Sequence, residues 1–188
     1  GWEESDYGNI AMILGVWESN FTRYDMNHMP GYYFFSALWL FLIDDAVIAA
    51  KMTALLGGML SLSATLFLSH RFLGPAVSCI VAALLIFQPE YSLYSSSALR
   101  EPLYSAFVMM GLCFLLKQRS LGFAICSVLA FSVRFEAPLF LLPVGLLFLE
   151  KWKDKAIFLS ILSGGIAAWM YYCFTVYETI VFWGHASS

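Results

Sequence analysis

Long apolar stretches separated by short charged segments fill the chain from residue 46 onward. A membrane-spanning helix needs about 20 mainly apolar residues, or about 17 where the bilayer is thin. Charged residues or prolines end each stretch, so the pattern predicts about six transmembrane helices. Several of these stretches are short, and their predicted bounds are accurate only to a few residues. The predicted spans are 46–69, 75–89, 102–116, 120–133, 137–149 and 156–177.

Residues 31–43 (GYYFFSALWLFLI) are apolar but too short to cross a bilayer, and Asp44 and Asp45 follow them directly. Tyrosine and tryptophan concentrate at the boundary between lipid and water. The segment therefore predicts a helix that lies in the membrane interface. Residues 1–45 are predicted to form a polar first loop that ends in this interfacial helix, and residues 46–188 to form the transmembrane module.

The composition supports a membrane protein. Hydrophobic residues make up 61% of the chain and charged residues 12%, whereas soluble domains carry about 25% charged residues. The predicted fold class is an all-α polytopic membrane protein. We expect it to contact the lipid bilayer and to have no nucleic-acid partner. The four cysteines lie in apolar runs without metal-type spacing, so we interpret them as small packing residues: Cys79, Cys113, Cys126 and Cys173.

The charged segments predict the orientation, because cytoplasmic loops carry an excess of lysine and arginine. If residues 31–43 do not cross, the loops at 70–74, 117–119 and 150–155 share one side. They hold six basic and two acidic residues, a net charge of +4. The other side holds four basic and eleven acidic residues, a net charge of −7. We therefore predict that these three loops are cytoplasmic and that the first loop and the C-terminus are extracytoplasmic.

This orientation collects a set of ionisable residues on the extracytoplasmic side. Ionisable residues at membrane depth are costly and usually face a polar cavity or each other. Cationic side chains suit a phosphate group, and a carboxylate can act as a general base. The set comprises Glu3, Glu4, Asp6, Lys51, Arg100, Glu101, Arg134 and Glu136.

Simpler interpretations exist for the same residues. The neighbouring Arg100 and Glu101, like Arg134 and Glu136, are also typical of interfacial anchors or of ion pairs that stabilise helix ends. Lys51 is close enough to its span's end for its ammonium group to reach the interface. The residues alone leave these interpretations open beside a phosphate site.

Five short segments, in this order and on these sides, resemble the GT-C superfamily of polyprenyl-phosphate-sugar glycosyltransferases, above all the protein-mannosyltransferase and aminoarabinose-transferase type. An acidic motif followed by Tyr and Ile-Ala comes first, then a Pro-containing start of an interfacial helix, then a basic residue opening a span. Two breaks with an arginine and an acid follow. The segments are 3–11 (EESDYGNIA), 28–33 (HMPGYY), 50–58 (AKMTALLGG), 98–103 (ALREPL) and 132–138 (SVRFEAP).

The resemblance implies transfer of a sugar from a polyprenyl-phosphate-linked donor to an acceptor hydroxyl on a protein, lipid or glycan, outside the cytoplasm. By this resemblance Asp6 or Glu4 is the catalytic base and Glu101 a helper. Lys51, Arg100 and Arg134 bind the donor phosphate. Some members of the family use a divalent metal and others do not, so metal use is left open and no metal ligand is assigned.

The resemblance also predicts that this chain is a piece of a longer protein, since it lacks the family's first span and its C-terminal part. Two other functions stay open. One is a non-catalytic scaffold subunit of a larger membrane complex. The other is a fragment of a transporter or flippase, although such a protein favours charges or broken helices at mid-membrane, and most charges here lie at the ends of the predicted spans.

Overall fold

The computed structural model describes residues 2–19 and 29–177, with the backbone alone for residues 2–7, 96, 176 and 177. This part of the chain is all-helical and contains no strand, which confirms the predicted all-α class. The helices are α1 (Trp2–Glu18), α2 (Gly31–Trp39), α3 (Ala46–Leu73), α4 (Pro75–Phe87), α5 (Pro89–Ser96), α6 (Glu101–Leu116), α7 (Ser120–Val133), α8 (Ala137–Phe148) and α9 (Trp152–Tyr177). The predicted C-terminal exit at 178–188 lies outside the described residues.

Each predicted span coincides with a helix, but not every helix is long enough to span a membrane. By length and composition, α3 and α9 qualify. A third candidate arises if α4 and α5, which are bent by 69° at their junction, count as one broken span. Helices α6, α7 and α8 are apolar but shorter, so the count of six crossings stays a prediction. Large apolar side chains are exposed on α4 and α8, as lipid contact requires: Leu84, Phe87, Leu139 and Leu147.

Small residues allow the long helices to pack closely. Helix α3 packs on α6, α6 on α7, and α7 on α9. A Cβ atom added to Gly57 of α3 would lie 2.5 Å from the backbone nitrogen of Leu103 in α6. A Cβ atom added to Gly165 of α9 would likewise lie 2.8 Å from the side chain of Val128 in α7. Such close approach of backbones is the usual basis of helix association in membranes.

Side-chain contacts give the helix directions. Helices α3 and α6 run parallel, because Gly57 faces Leu103 while Lys117, just beyond the other end of α6, lies over the ring of Phe67. A tight turn at Lys117–Arg119, with Gln118 at a φ of 51°, reverses the chain into α7. Helix α9 runs parallel to α7. The Ser120 hydroxyl donates to Asp154 Oδ1 at 2.8 Å near the start of both helices, and Val128 faces Gly165 farther along both.

The bundle therefore has two chemically distinct ends. One end, called here the basic end, carries the three segments that the sequence analysis grouped as cytoplasmic. Gln118 joins two of them, donating to the carbonyl oxygen of Phe148 at 3.0 Å and accepting from the Glu150 amide at 3.2 Å. The opposite end, called the mixed-charge end, carries Asp44, Asp45, Lys51, Arg100, Glu101, Arg134 and Glu136.

The first 45 residues contain more regular structure than the sequence predicted. Helix α1 was not foreseen; it packs on α2 and α3 and buries Ile13 and Val16. Helix α2 matches the predicted interfacial helix in position. Its Tyr32 and Tyr33 were expected in an aromatic belt at the interface, but both are fully buried in the protein core.

Candidate functional site

The two arginines of the candidate site lie at the mixed-charge end, one just before α6 and the other just after α7. Helix α6 begins at Glu101, and the Tyr104 amide donates to the carbonyl oxygen of Arg100 at 3.1 Å, which places Tyr104 one turn above Arg100. Helix α7 runs antiparallel to α6 and ends at Val133. Arg134 follows it directly, and its guanidinium carbon lies 5.5 Å from the Tyr104 ring centroid. Thus α6 and α7 present Arg100 and Arg134 at neighbouring positions.

Each arginine also has an acidic neighbour. The distance from Arg100 Nε to Glu101 Oε1 is 3.9 Å, and from Arg134 Nη2 to Glu136 Oε1 it is 3.5 Å. The arginine side chains are 29% and 35% exposed, and ion pairs with this exposure contribute only about 0–1 kcal/mol. A guanidinium has five N–H donors, so both arginines keep donors for an anionic ligand.

Glu101 has one carboxylate oxygen in an unusual position. Its Oε1 faces Arg100, whereas Oε2 is buried and has no hydrogen-bond partner among the described residues. Buried polar atoms are nearly always hydrogen-bonded, so this oxygen is a position where a water, an ion or a ligand donor fits. The N-terminal turn of α6 favours a negative charge here through the helix dipole. The carboxylate is therefore held as an acceptor with one free position.

Lys51 lies at the same end but stands apart from the arginines. It precedes Gly57 by six residues, about 9 Å along α3, and Gly57 contacts α6 at Leu103. The preceding carbonyl, of Ala50, accepts a hydrogen bond from the buried hydroxyl of Tyr32 at 3.2 Å. The Lys51 side chain is exposed and forms no ion pair within the described part of the chain. The predicted trio thus shares an end of the bundle, with Lys51 outside the two arginine–glutamate pairs of the described residues.

Asn9 is a structural link that the sequence analysis missed. Its Nδ2 donates to the carbonyl oxygen of Ala98 at 2.8 Å, and its Oδ1 accepts from the Tyr33 hydroxyl at 2.9 Å. These bonds tie α1 and α2 to the turn that leads into Arg100. In the sequence, the feature that could have indicated this link is the position of Asn9 within the acidic motif at 3–11.

The two candidate bases lie on α1, before Asn9. Asp6 precedes Asn9 by three residues and Glu4 by five, within the same helix. Their side chains lie outside the described residues, so their distances to the arginines stay open. The Asn9 hydrogen bonds nevertheless attach this helix to the mixed-charge end.

An apolar cavity of about 380 Å³ opens beside this end, between α2, α7 and α9. Ser132, two residues before Arg134, lines it, as do apolar residues of three helices: Phe34, Phe131, Gly165 and Trp169. Cavities of about 300–1,000 Å³ with mainly apolar walls are typical of small-molecule sites. The cavity therefore offers room for hydrocarbon at the end of α7 that Arg134 follows.

No metal centre is evident at this end. Within the described ranges, no group of three or more His, Cys, Asp or Glu side chains is arranged to hold a metal ion.

Comparison with known proteins adds no identification, since no protein-family model, curated protein or solved structure matches the chain.

Proposed function

We propose that this chain is the membrane module of a glycosyltransferase of the GT-C type, which transfers a sugar from a polyprenyl-phosphate-linked donor to an acceptor hydroxyl. The observation that carries the proposal is that two antiparallel helices place Arg100, Glu101 and Arg134 at the same end of the bundle. Arg134 lies over Tyr104, in the helical turn that follows Arg100. Two arginines with unused donors suit a phosphate, and the nearby apolar cavity suits a lipid chain.

In this proposal the arginines bind the donor phosphate and stabilise the negative charge that it gains as a leaving group. Lys51 adds positive charge at the same end. The acceptor oxygen attacks the anomeric carbon, commonly with inversion, while the bond from that carbon to the phosphate oxygen breaks. Asp6 or Glu4 takes the acceptor's proton, and Glu101 assists through its unpaired oxygen. A divalent metal is left open.

The charge distribution supports an extracytoplasmic site. The basic end carries a net charge of +4 from the three segments near residues 70, 118 and 150. An excess of basic residues is typical of the cytoplasmic side, and the mixed-charge end lies opposite. A polyprenyl-phosphate sugar in the outer leaflet presents its phosphate at this depth.

A second candidate function is a non-catalytic scaffold subunit. The observation in its favour is that Arg100 and Arg134 each pair with the acid next to them. Such pairs stabilise helix ends without any ligand. A transporter fragment has less support, because its polar residues belong near mid-membrane, whereas these charges lie at helix ends.

Sugar transfer by the full-length protein tests the proposal. Asp6→Asn and Glu4→Gln are each compared with Glu150→Gln, which removes one acidic charge from the basic end. We expect at least one of the first two variants to abolish transfer while leaving the protein folded, and Glu150→Gln to retain activity. Full activity in both Asp6→Asn and Glu4→Gln would refute the acid–base assignment. An inactive wild type that still assembles with other membrane subunits would favour the scaffold.

A further inference from the structure

A second groove, far from the candidate site, lies between α3 and α6 near the basic end. Its volume is about 290 Å³. The walls are mainly apolar: Leu60, Ala64, Met110, Cys113 and Phe114. The Cys113 thiol donates to the carbonyl oxygen of Ala64 at 3.7 Å, and the Ser63 hydroxyl donates to that of Met59 at 2.8 Å. Because both groups donate to backbone carbonyl oxygens, the groove offers a mainly apolar surface that suits a hydrocarbon chain.

Lys117 stands at the end of this groove, directly after the last residue of α6. Its Nζ lies 4.6 Å from the Phe67 ring centroid, which holds the ammonium group between α3 and α6. The side chain is exposed and forms no ion pair with any residue in the described ranges. Its N–H donors are therefore available to an anion.

The basic residues around Lys117 favour an anionic ligand. Arg71 follows Phe67 by about one helical turn on α3, and Arg119 follows two residues after Lys117; both side chains are exposed. Basic pockets between transmembrane helices on the cytoplasmic side are typical binding sites for anionic lipid head groups. An apolar groove that ends in a lysine thus matches a hydrocarbon chain joined to a phosphate.

We infer that this groove binds one acyl chain of an anionic glycerophospholipid, with a phosphate oxygen accepting a hydrogen bond from Lys117. The volume lies at the lower limit of ligand sites, about 300 Å³, so the groove takes a segment of one chain while the second chain stays in the bilayer. This site is at the opposite end of the bundle from the arginines, and its existence does not depend on glycosyl transfer.

Native mass spectrometry of the full chain in detergent tests the head-group preference. The probes are phosphatidylglycerol and phosphatidylcholine with identical acyl chains. We expect one phosphatidylglycerol to be retained about fivefold more strongly, as one lysine near an anionic lipid predicts. Equal retention of the two lipids would overturn the inference.

Two variants separate the groove from the general positive charge. Lys117→Gln removes the ammonium group at the groove, whereas Lys153→Gln removes the same charge from another exposed position at the basic end. We expect the phosphatidylglycerol preference to fall about fivefold in the first and to stay in the second. An equal loss in both would assign the preference to the overall charge and overturn the site.

A third variant tests the acyl-chain position. Ser63 is exposed at the groove, so Ser63→Trp adds an aromatic ring there without opening the core. We expect it to weaken retention of phosphatidylglycerol although Lys117 is intact, with an unchanged helical circular dichroism spectrum. Retention equal to wild type in a folded Ser63→Trp variant would overturn the assignment of the chain to this groove.

Discussion

The guanidinium of Arg134 lies over the ring of Tyr104, with 5.5 Å between the guanidinium carbon and the ring centroid. This cation–π contact joins the residue that follows α7 to the first turn of α6. An aromatic ring can hold a guanidinium in place without accepting its N–H hydrogen bonds in the usual way. Arg134 uses one donor on Glu136 and keeps others for a ligand.

The first prediction concerns Arg134 and the donor lipid. Arg134→Ala should lower the affinity of the full-length protein for a polyprenyl phosphate about tenfold or more, because a hydrogen bond to a charged group contributes about 1.5–3 kcal/mol. Calorimetric titration in detergent measures this change. Arg119→Ala, which removes an arginine from the basic end, is the matched control and should bind normally. Normal donor affinity in Arg134→Ala would restrict Arg134 to a role at the helix end.

The second prediction concerns the unpaired oxygen of Glu101. Glu101→Gln keeps the size of the side chain but removes its charge, so we expect sugar transfer to fall at least tenfold. The free energy of unfolding should change by less than about 1 kcal/mol, since the exposed pair with Arg100 contributes little. Transfer assays and denaturation of the same preparations check both parts. A large loss of stability together with activity would show a structural role only.

The third prediction tests the link between α1, α2 and the turn before α6. Tyr33→Phe should destabilise the protein by about 0.5–1.5 kcal/mol. Asn9→Ala should cost more, because it removes two hydrogen bonds, to the Ala98 carbonyl oxygen and from the Tyr33 hydroxyl. Thermal unfolding in detergent gives these values. A double-mutant cycle should show coupling between the two sites; additive effects would mean that the hydrogen bond contributes nothing.

The fourth prediction uses two glycines in matched helical settings. Gly57→Ala forces a Cβ atom against the α6 backbone, 2.5 Å from Leu103 N, and should cost about 1–3 kcal/mol by overpacking. Gly164→Ala meets no atom within 4 Å and should stabilise α9 by about 0.5–1 kcal/mol through helix propensity. Unfolding midpoints compare the two variants. Equal effects would contradict the close α3–α6 contact.

The fifth prediction concerns orientation. In a variant with all four cysteines replaced by serine (Cys79, Cys113, Cys126 and Cys173), a single cysteine introduced in place of Lys117 should react only with thiol reagents applied from the cytoplasmic side. A cysteine at Asp44, which lies at the opposite end, should react from outside. Labelling of intact cells with membrane-impermeant maleimide checks both. Reaction of the Lys117 position from outside would overturn the proposed topology.

The apolar runs predicted the helices well where a charge or a proline also ends the helix. At the basic end the prediction was too short, because α3 continues through His70 and Arg71 to Leu73 and α9 begins at Trp152, before the charges at 153–155. Helix α7 spans Ser120–Val133, as predicted, and α6 begins one residue earlier than expected. Helix α1 escaped prediction because its sequence has many polar residues and no clear apolar face. Its contacts with α2 and α3, through Ile13 and Val16, supply what local sequence lacks.

The candidate site was only partly accessible from the sequence. The charges at helix ends were visible, and so were the acids beside Arg100 and Arg134. The sequence did not show that Tyr104 would meet Arg134, because that contact depends on which helices are neighbours. The burial of Tyr32 and Tyr33 has the same origin: Ala50 and other small residues of α3 admit α2 into the core. An aromatic-rich segment alone does not reveal such a partner.

The parallel packing of α3 against α6 has a consequence for biogenesis. Forty-five residues separate Gly57 from its contact at Leu103, and at about 5–20 residues per second their synthesis takes several seconds. During that interval α3 is already made, yet the surface around Gly57 has no partner. The nascent chain must therefore keep that face covered by lipid or by the insertion machinery until α6 emerges from the ribosome.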